Sequence, residues 1–387
     1  MKRYVFFVLT IITFLLSSCS PTKQGDLLEI PVDLDKKKIS FPFTELVENI
    51  TTIDLELTDE SLINPDIIAG VLLSDNYVIL LSRSVYSTKI FLFGIDGKFI
   101  RTIGSQGQGP GEYTSVGHIA INEKKNILYV HTYTKIISYD LNEKNHFKEI
   151  TLNKDNNFLI SSINYINDEL LIIGVKDRYN EKGFYRHSEI YQLNDELQLI
   201  DSCTIRDDYC NPKQFRIVTH IFNNYLYKTN STVFLYYPEF FPKEINPAEK
   251  SLHDTLYCFE NKQLIPKMKL NIKNRKKWLE EDSFILCHIY RSSRYIFVEY
   301  SYQGANAYCY DLETGKTYNT SLTFEPQESI DRVENRVLIE NKETNNRMKT
   351  IRPIANNPEL LFYVYTHIKP DDLVEPNPTL YIGKLKK

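Results

Sequence analysis

The chain has 387 residues, a net charge of −4, 27 tyrosines, 21 phenylalanines and only 3 methionines. The weak negative charge excludes a general electrostatic attraction to nucleic acid or to an anionic membrane surface. The length alone would allow two domains, but the repeats described below favour one. The abundance of tyrosine and phenylalanine over methionine favours strands rather than helices.

The first eighteen residues have the pattern of a secretory signal peptide. Two basic residues precede a short apolar stretch, which ends in the sequence Leu16–Cys19 (Leu-Ser-Ser-Cys). A basic start, an apolar centre and small residues before a cleavage site are features of such signals. The cysteine after Leu-Ser-Ser looks like the bacterial lipobox, which implies cleavage before Cys19 and lipidation of Cys19. An ordinary signal peptide or a short membrane anchor is the alternative, although the apolar run is short for a membrane span.

We therefore expect a protein held in the bacterial cell envelope by lipid, with a tether over residues 19–38 and a folded body over residues 39–387. Further along the chain, no apolar run is long enough to cross a bilayer. Each buried acyl methylene adds about 0.8 kcal/mol to membrane binding, so several acyl chains on Cys19 would hold the protein firmly. No acidic cluster follows in residues 20–24. We expect an outer-membrane protein that faces the periplasm.

The cysteines give a second indication of compartment. The chain has 6 cysteines, and lipidation of Cys19 would leave an odd number, which cannot all pair within one chain. Cys203 and Cys210 are close enough in sequence to bridge, and an oxidising envelope would permit a disulfide. The others lie in apolar stretches and are predicted to be buried thiols in strands: Cys258, Cys287 and Cys309.

A pair of β-rich runs recurs along the chain. The second run of each pair is often followed by an acidic or amide residue, and these runs lie at 90–93, 136–140, 189–194, 255–260, 307–311 and 379–382. The first runs lie at 77–81, 127–130, 170–173, 233–236, 295–298 and 361–364. The copies are separated by roughly 45 to 70 residues, a spacing typical of propeller blades.

Six such pairs predict an all-β chain folded as a six-bladed β-propeller of four-stranded blades. The last copy ends at Lys387 before an outer strand of its own, whereas residues 52–57 form an extra β-rich run before the first blade. An open ring would expose two sheet edges, so we expect this N-terminal strand to close the last blade. A β-sandwich with long insertions is the alternative. Helical apolar spacing predicts short helices near residues 275–281 and 332–341.

The most distinctive internal stretch is a glycine-rich loop before the second pair. Its notable residues are Gly104, Gly107, Gly109, Pro110, Gly111, Glu112 and Tyr113. Glycines and a proline at this density require unusual backbone angles. The stretch contains neither Gly-x-Gly-x-x-Gly nor Gly-Lys-Ser/Thr, which excludes the usual phosphate-binding loops. Because it lies between two strands, we interpret it as a connection between blades.

This loop, together with residues 116–121 and 127–130, resembles the NHL-repeat class of propeller. More closely, the chain resembles a family of bacterial six-bladed β-propeller lipoproteins of unknown function, with further matching stretches at 253–257 and 377–385. The resemblance implies a six-bladed ring at the cell envelope and brings no established catalytic residues. His253 stands where the family pattern leads us to expect a small residue such as serine.

Motifs for catalysis, metals or cofactors are missing from the sequence. The 8 histidines form no His-Glu-x-x-His, and neither Cys-x-x-Cys nor Gly-x-Ser-x-Gly occurs. We therefore predict no catalytic residue, no metal ligand and no cofactor. A propeller could still bring together single residues from different blades, and the candidates, each more simply explained as ordinary loop residues, are Glu112, His118, Asp177 and His220. Exposed tyrosines within 236–241 or 300–302 could stack on sugars or grip a peptide.

Three functions are compatible with this pattern. The first is a non-catalytic lipoprotein of the envelope whose propeller binds a glycan, a peptide or a partner protein. The second is a metal-dependent hydrolase, such as a lactonase, or a lyase, by fold-level analogy with propellers related to NHL repeats. The third is an assembly factor that binds another outer-membrane protein. We favour the first, because the sequence pairs an anchor and a propeller pattern with no catalytic constellation.

Overall fold

The computed structural model describes residues 27–38, 43–84, 86–132, 135–151, 158–180, 183–210, 225–237, 254–280, 284–303, 305–322, 337–339, 349–366 and 376–387. They form a six-bladed β-propeller of four-stranded blades, which confirms the predicted fold class. Within each blade, strands that are consecutive in the chain pair antiparallel. The inner strands of the first four blades contact one another in turn, and an inner strand of the last blade contacts the first blade. No helix among the described residues is long and apolar enough to cross a membrane.

The first three blades use consecutive strands. Blade 1 contains β3 (Ile68–Leu73), β4 (Tyr77–Arg83), β5 (Thr88–Gly94) and β6 (Phe99–Thr102). Blade 2 contains β9 (His118–Asn122), β10 (Ile127–His131), β11 (Lys135–Asp140) and β12 (Phe147–Thr151). Blade 3 contains β13 (Phe158–Ile166), β14 (Glu169–Asn180), β15 (Gly183–Leu193) and β16 (Leu199–Cys210). Between blades 1 and 2, the short strands β7 (Ser105–Gln106) and β8 (Glu112–Tyr113) pair in parallel.

Blades 4 and 6 each include a strand from the N-terminal part of the chain. Blade 4 contains β17 (Leu226–Thr229), β18 (Thr232–Leu235), β19 (Thr255–Glu260), β20 (Gln263–Ile272) and β1 (Leu28–Val32). Blade 5 contains β21 (Ile285–Arg291), β22 (Tyr295–Ser301), β23 (Ala305–Asp311) and β24 (Thr317–Leu322). Blade 6 has four core strands, β26 (Lys349–Ile354), β27 (Asn357–Tyr365), β28 (Thr379–Leu385) and β2 (Val47–Asp54), and β25 (Val337–Ile339) pairs with β26 as an additional strand.

The repeated pairs in the sequence are the second and third strands of the blades. These central strands pack against a neighbouring blade on both faces, so nearly every position is apolar. In β4, Val78 and Leu80 join a cluster with blade 6, whereas Ile79 and Leu81 join a cluster with blade 2. The hydrophobic core is therefore divided among the interfaces between blades rather than placed at one centre.

The ring closes as predicted. Strand β2 pairs antiparallel with β28 in blade 6, and Ile53 lies opposite Leu380. The closing strand begins five residues earlier than the predicted run over 52–57 and ends at Asp54. Asp54 also accepts a hydrogen bond of 2.6 Å from the Thr379 hydroxyl across this pair. The backbone hydrogen-bonding groups of β2 and β28 therefore pair with each other, so neither strand leaves an open sheet edge where the ring closes.

The predicted tether over residues 19–38 is wrong for its C-terminal part. Strand β1 pairs in parallel with β20 at the rim of blade 4, and Ile30 and Val32 are each 1% exposed. The next residues lie against blade 5, where the Asn319 side chain donates to the backbone oxygens of Leu34 and Lys36. The sequence signal for β1 was weak because Pro31 interrupts it, and proline is tolerated in an edge strand.

Two other expectations are corrected and two are confirmed. A short helix, α1 (Phe43–Leu46), precedes β2, and helix α2 (Arg275–Glu280) confirms the first predicted helix. Within 332–341 the described residues form strand β25, and the remainder lie outside the described residues. Cys203 and Cys210 lie seven residues apart on one strand, β16. That separation is roughly 20 Å in an extended chain, too far for a disulfide, and Cys203 is a free thiol. The three cysteines predicted to be core thiols are buried: Cys258, Cys287 and Cys309.

Candidate functional site

The turns between the first and second strands of the blades meet around one end of the propeller axis. A cavity of about 600 Å³ lies there, walled by these turns in blades 2, 3, 4 and 6 and by the strand ends that lead into them. Five asparagines contribute to its lining: Asn122, Asn164, Asn167, Asn230 and Asn356. We call this space the axial cavity.

The backbone conformation of the turns favours asparagine at two of these five positions. Asn167 and Asn230 both have φ of 55°, a left-handed conformation that asparagine tolerates better than most residues. Asn122, Asn164 and Asn356 have no such backbone requirement. These three side chains instead form hydrogen bonds between blades.

Two of the three couple blade 3 to its neighbours. Asn122, on blade 2, is 1% exposed, and its Nδ2 donates to the Tyr165 hydroxyl of blade 3 at 2.7 Å. Asn164, on blade 3, donates from Nδ2 to the backbone oxygen of Leu226 in blade 4 at 2.7 Å. Each amide is thus fixed across a boundary between blades.

The other amides continue the ring of contacts. Asn356 of blade 6 accepts from the backbone nitrogen of Leu73 in blade 1 at 3.1 Å and donates to Glu123 of blade 2 at 2.8 Å. Asn230 of blade 4 accepts from the Ser293 hydroxyl of blade 5 at 3.3 Å. The asparagine side chains therefore both line the axial cavity and hold blades together around it.

The charged residues of the axial cavity balance each other. Lys124 and Asp168 form an ion pair at 2.7 Å, and Lys228 donates to the Asn167 side chain at 2.6 Å. With Glu123, the lining contains two cationic and two anionic side chains. The cavity is therefore polar without a net charge, which suits a neutral ligand that forms many hydrogen bonds.

A network behind the cavity wall holds an aromatic ring in place. The rings of Tyr129 and Tyr165 stack with centroids 5.5 Å apart, and both hydroxyls donate to Asp195 at 2.9 Å. Burial raises the pKa of Asp195, but hydrogen bonds from Lys125, Tyr165 and Tyr129 outweigh that effect and lower it. Asp195 is therefore ionised at neutral pH, and Tyr165 lines the cavity in a fixed position.

The opposite end of blade 2 contains two buried histidines. His118 and His131 face each other across β9 and β10, with ring centroids 6.0 Å apart. Burial and, to a smaller extent, the nearby positive charge of Arg83 together lower the pKa of His131 to about 3. Burial, His131 and Arg83 lower the pKa of His118 as well. Both rings are therefore neutral, and His131 Nδ1 has no hydrogen-bond partner among the described residues.

A carboxyl group in blade 5 is similarly isolated. Glu299 on β22 lies opposite His288 on β21, and its Oε2 atom is buried without a hydrogen-bond partner in the part of the chain described. Burial raises the pKa of Glu299 to about 8, although the charge of Arg352 acts in the other direction. Glu299 is therefore largely protonated at neutral pH. His118 and His131 belong to blade 2, so the described residues do not bring these two histidines together with Glu299.

The glycine-rich loop lies between blades 1 and 2 and outside the lining of the axial cavity. Glu112 accepts from the backbone nitrogen of Gly109 at 2.8 Å, and Tyr113 donates to the backbone oxygen of Ile103 at 3.0 Å. Gly111 has φ of 68°, and a Cβ there would lie 2.7 Å from the Phe147 ring. These contacts show that the loop packs against blade 2, and this packing explains why glycine is needed at position 111.

The structure does not bring the candidate metal ligands together. Glu112 lies in the glycine-rich loop, His118 is buried in blade 2, and Asp177 binds Arg186 through both oxygens at 2.7 Å. His220 lies outside the described residues. Among those that are described, one group could hold an ion, on the exposed rim of blade 2: Asp140, Glu143 and His146.

The prediction of an exposed aromatic patch is wrong for Tyr236 and Tyr300, whereas Tyr237 and Tyr302 are half-buried. Tyr236 and Tyr300 are 1% and 2% exposed, and Tyr302 packs edge-to-face on Trp278 at 5.0 Å. Residues 238–241, together with Cys19 and His253, lie outside the described residues.

The axial cavity could not be predicted from the sequence, because its five asparagines come from four blades that are far apart in the chain. The only local signal was the turn chemistry.

Fold and site together define a β-propeller with a polar cavity at one end of its axis. The chain belongs to the family described as a domain of unknown function, DUF4934, whose model matches residues 27–382. The expected family of unknown function with a six-bladed propeller is thereby confirmed. No curated protein matches this chain.

Two solved structures are similar to this chain at low sequence identity. A Bacteroides fragilis protein described as a "Putative exported protein" aligns with a TM-score of 0.60 and 16% identity, over 93% of this chain and 100% of that chain. The WD40 domain of Toxoplasma gondii coronin aligns with a TM-score of 0.36 and 8% identity, over 89% and 78%. The first similarity establishes the fold and nothing beyond it, and the second is too weak to support any conclusion.

Proposed function

We propose that this protein is a non-catalytic, carbohydrate-binding propeller anchored in the cell envelope, with the axial cavity as its binding site. The observation that carries the proposal is a charge-balanced cavity of about 600 Å³ lined by five asparagine amides. Ligand pockets typically have volumes of roughly 300–1,000 Å³. The axial cavity is thus large enough to hold a sugar and polar enough to bind its hydroxyl groups.

Amide side chains suit this ligand class. An asparagine amide has both donors and an acceptor, as a sugar hydroxyl does, and Asn167 and Asn230 are the ones exposed at the cavity. Anchoring of the asparagines by neighbouring blades reduces the side-chain entropy lost on binding. The Tyr165 ring adds an aromatic surface to the same wall. A charged ligand would find no excess of opposite charge.

The same geometry disfavours an extended peptide as the ligand. Peptides commonly bind by adding a strand to an exposed sheet edge. The axial cavity is walled mainly by turns and by the ends of inner strands that are already paired. Recognition must therefore come from side chains, which favours a ligand with hydroxyl groups over one that offers a peptide backbone.

Anchoring through Cys19 belongs to the same proposal. The Leu-Ser-Ser-Cys sequence supports lipidation, and residues 19–26 would then join the lipid to a body that begins near Leu28 on blade 4. Growth with an alkyne-tagged fatty acid should label the full chain, and Cys19→Ser should abolish both labelling and membrane association. Equal labelling of the variant would overturn the assignment of Cys19.

Binding can be tested with a turn variant that preserves the backbone. Glycine adopts left-handed angles freely, so Asn167→Gly with Asn230→Gly removes two cavity amides without straining the turns. Asn145→Gly is a matched control, because Asn145 also has a positive φ, of 65°, but lies outside the cavity. Neutral saccharides would be screened by thermal unfolding and binding quantified by calorimetry.

We expect a saccharide at 100 times its dissociation constant to add about 2.7 kcal/mol of stability to the wild-type protein. The double variant should bind at least about tenfold more weakly, whereas Asn145→Gly should match the wild type. Two outcomes contradict the proposal: binding of peptides but of no saccharide, or a stabilisation by divalent metal that a chelator abolishes and that accompanies substrate turnover.

A further inference from the structure

A second cavity adjoins the axial cavity on the same face of the propeller. It has a volume of about 360 Å³ and lies between blades 3 and 4. Ile166 and Asn167 line both cavities. The two spaces therefore meet at the inner turn of blade 3, and Asn167 stands at their junction.

The second cavity leads away from the axis. Near Asn167 it is lined by Ser231, in the inner turn of blade 4, and further out by Asn261 and Lys262, in the turn between the third and fourth strands. In a propeller the strands of a blade follow one another from the axis to the rim. We call this second cavity the radial cleft.

The lining of the radial cleft is amphipathic. Leu171, Val233 and Phe259 supply apolar surface. Glu169 and Gln192 supply polar groups, and the Gln192 side chain donates to Glu169 at 3.0 Å. A sugar ring combines an apolar face with hydroxyl groups at its edge, so it can use both parts of such a lining.

We propose that the axial cavity and the radial cleft form one groove that binds a linear oligosaccharide. One end of the chain lies at the axis, and successive sugar units follow the radial cleft towards the rim between blades 3 and 4. This inference rests on the carbohydrate-binding function proposed above. It adds that the ligand is a polymer and that its direction on the protein is radial.

The test uses neutral cello-, malto- and N-acetylchito-oligosaccharides of one to six units. We expect affinity to rise at least about tenfold between the monosaccharide and the longer members of one series. Gln192→Ala removes a polar group from the cleft, and Ser231→Trp fills the cleft from an exposed turn. Gln198→Ala, in an exposed turn of blade 3 outside both cavities, is the matched control.

The cleft variants should weaken binding of the longer oligosaccharides about tenfold and leave binding of the monosaccharide within twofold of wild type. Asn167→Gly should weaken binding at every length, because Asn167 borders both spaces. If the monosaccharide binds as tightly as the hexasaccharide and the cleft variants change nothing, the groove is wrong and the axial site stands. If no saccharide of any length binds, both proposals fail together.

Discussion

At one end of the inner strands, Asn122 and Asn164 are buried with their amides hydrogen-bonded across blade boundaries. Towards the other end, His131 is buried and Glu299 is half-buried, and each has a buried atom that lacks a hydrogen-bond partner among the described residues. The first arrangement buries polar groups beside the axial cavity at little electrostatic cost, because their hydrogen bonds are made. The second places ionisable groups where charging them is unfavourable. We therefore expect the opposite end, rather than the cavity end, to set how stability depends on pH.

The largest expected effect comes from the histidine pair. The unfolded chain binds protons at His118 and His131 below about pH 6.5, whereas the folded chain resists protonation, with the pKa of His131 at about 3. Stability should therefore fall as pH drops from 6.5 towards 3, by up to about 1.4 kcal/mol per pH unit for each histidine. Replacing both by phenylalanine should flatten this slope in urea unfolding measured between pH 7 and 5.

His146→Gln is the control for that experiment, since His146 lies exposed at the surface of blade 2. Its slope should equal that of the wild-type protein. An unchanged slope in the double phenylalanine variant would show that the histidine pair is not the source of the acid sensitivity.

A smaller effect of opposite sign is expected from Glu299. Its pKa rises from 4.5 to about 8 on folding, so the folded protein keeps a proton that the unfolded chain loses above pH 4.5. Stability should fall as pH rises from 4.5 to 8, and Glu299→Gln should remove this loss. We expect the variant to gain on the order of a few kcal/mol over the wild type at pH 8, relative to their difference at pH 4.5.

Calorimetric unfolding at several pH values would measure the gain at Glu299. The exposed carboxylate Glu60 offers a comparison, and Glu60→Gln should leave the pH profile unchanged. If Glu299→Gln destabilises the protein equally at all pH values, Glu299 contributes through packing rather than through its proton.

The smallest expected effect lies in the axial cavity. Lys124 and Asp168 form an ion pair there with most of both side chains exposed, so its contribution is screened by solvent. Lys124→Gln should change the free energy of unfolding by less than about 1 kcal/mol and leave its pH profile unchanged. A loss of several kcal/mol in urea unfolding would mean that the cavity end is also a determinant of stability.

The sequence predicted the central strands of the blades, but it did not predict strand β1 or the axial cavity. Central strands such as β4 are apolar at nearly every position because blades cover both faces, so the six pairs were visible in the sequence. Strand β1 was missed because half of it faces solvent and Pro31 interrupts its pattern. The cavity was missed because Asn122 and Asn356 come together only when blade 6 closes against blade 1, and no local pattern encodes that approach.

The strand β1 at the rim of blade 4 has a mechanical consequence. Any pull on the chain upstream of Leu28 acts first on β1, whose five residues pair with β20 from Met268 to Ile272. A force directed along β1 would load these hydrogen bonds in shear, so several would have to break together before β1 slides. The closing strand β2 lies beyond this point in the chain. The ring is thereby protected from tension that would otherwise open its last blade.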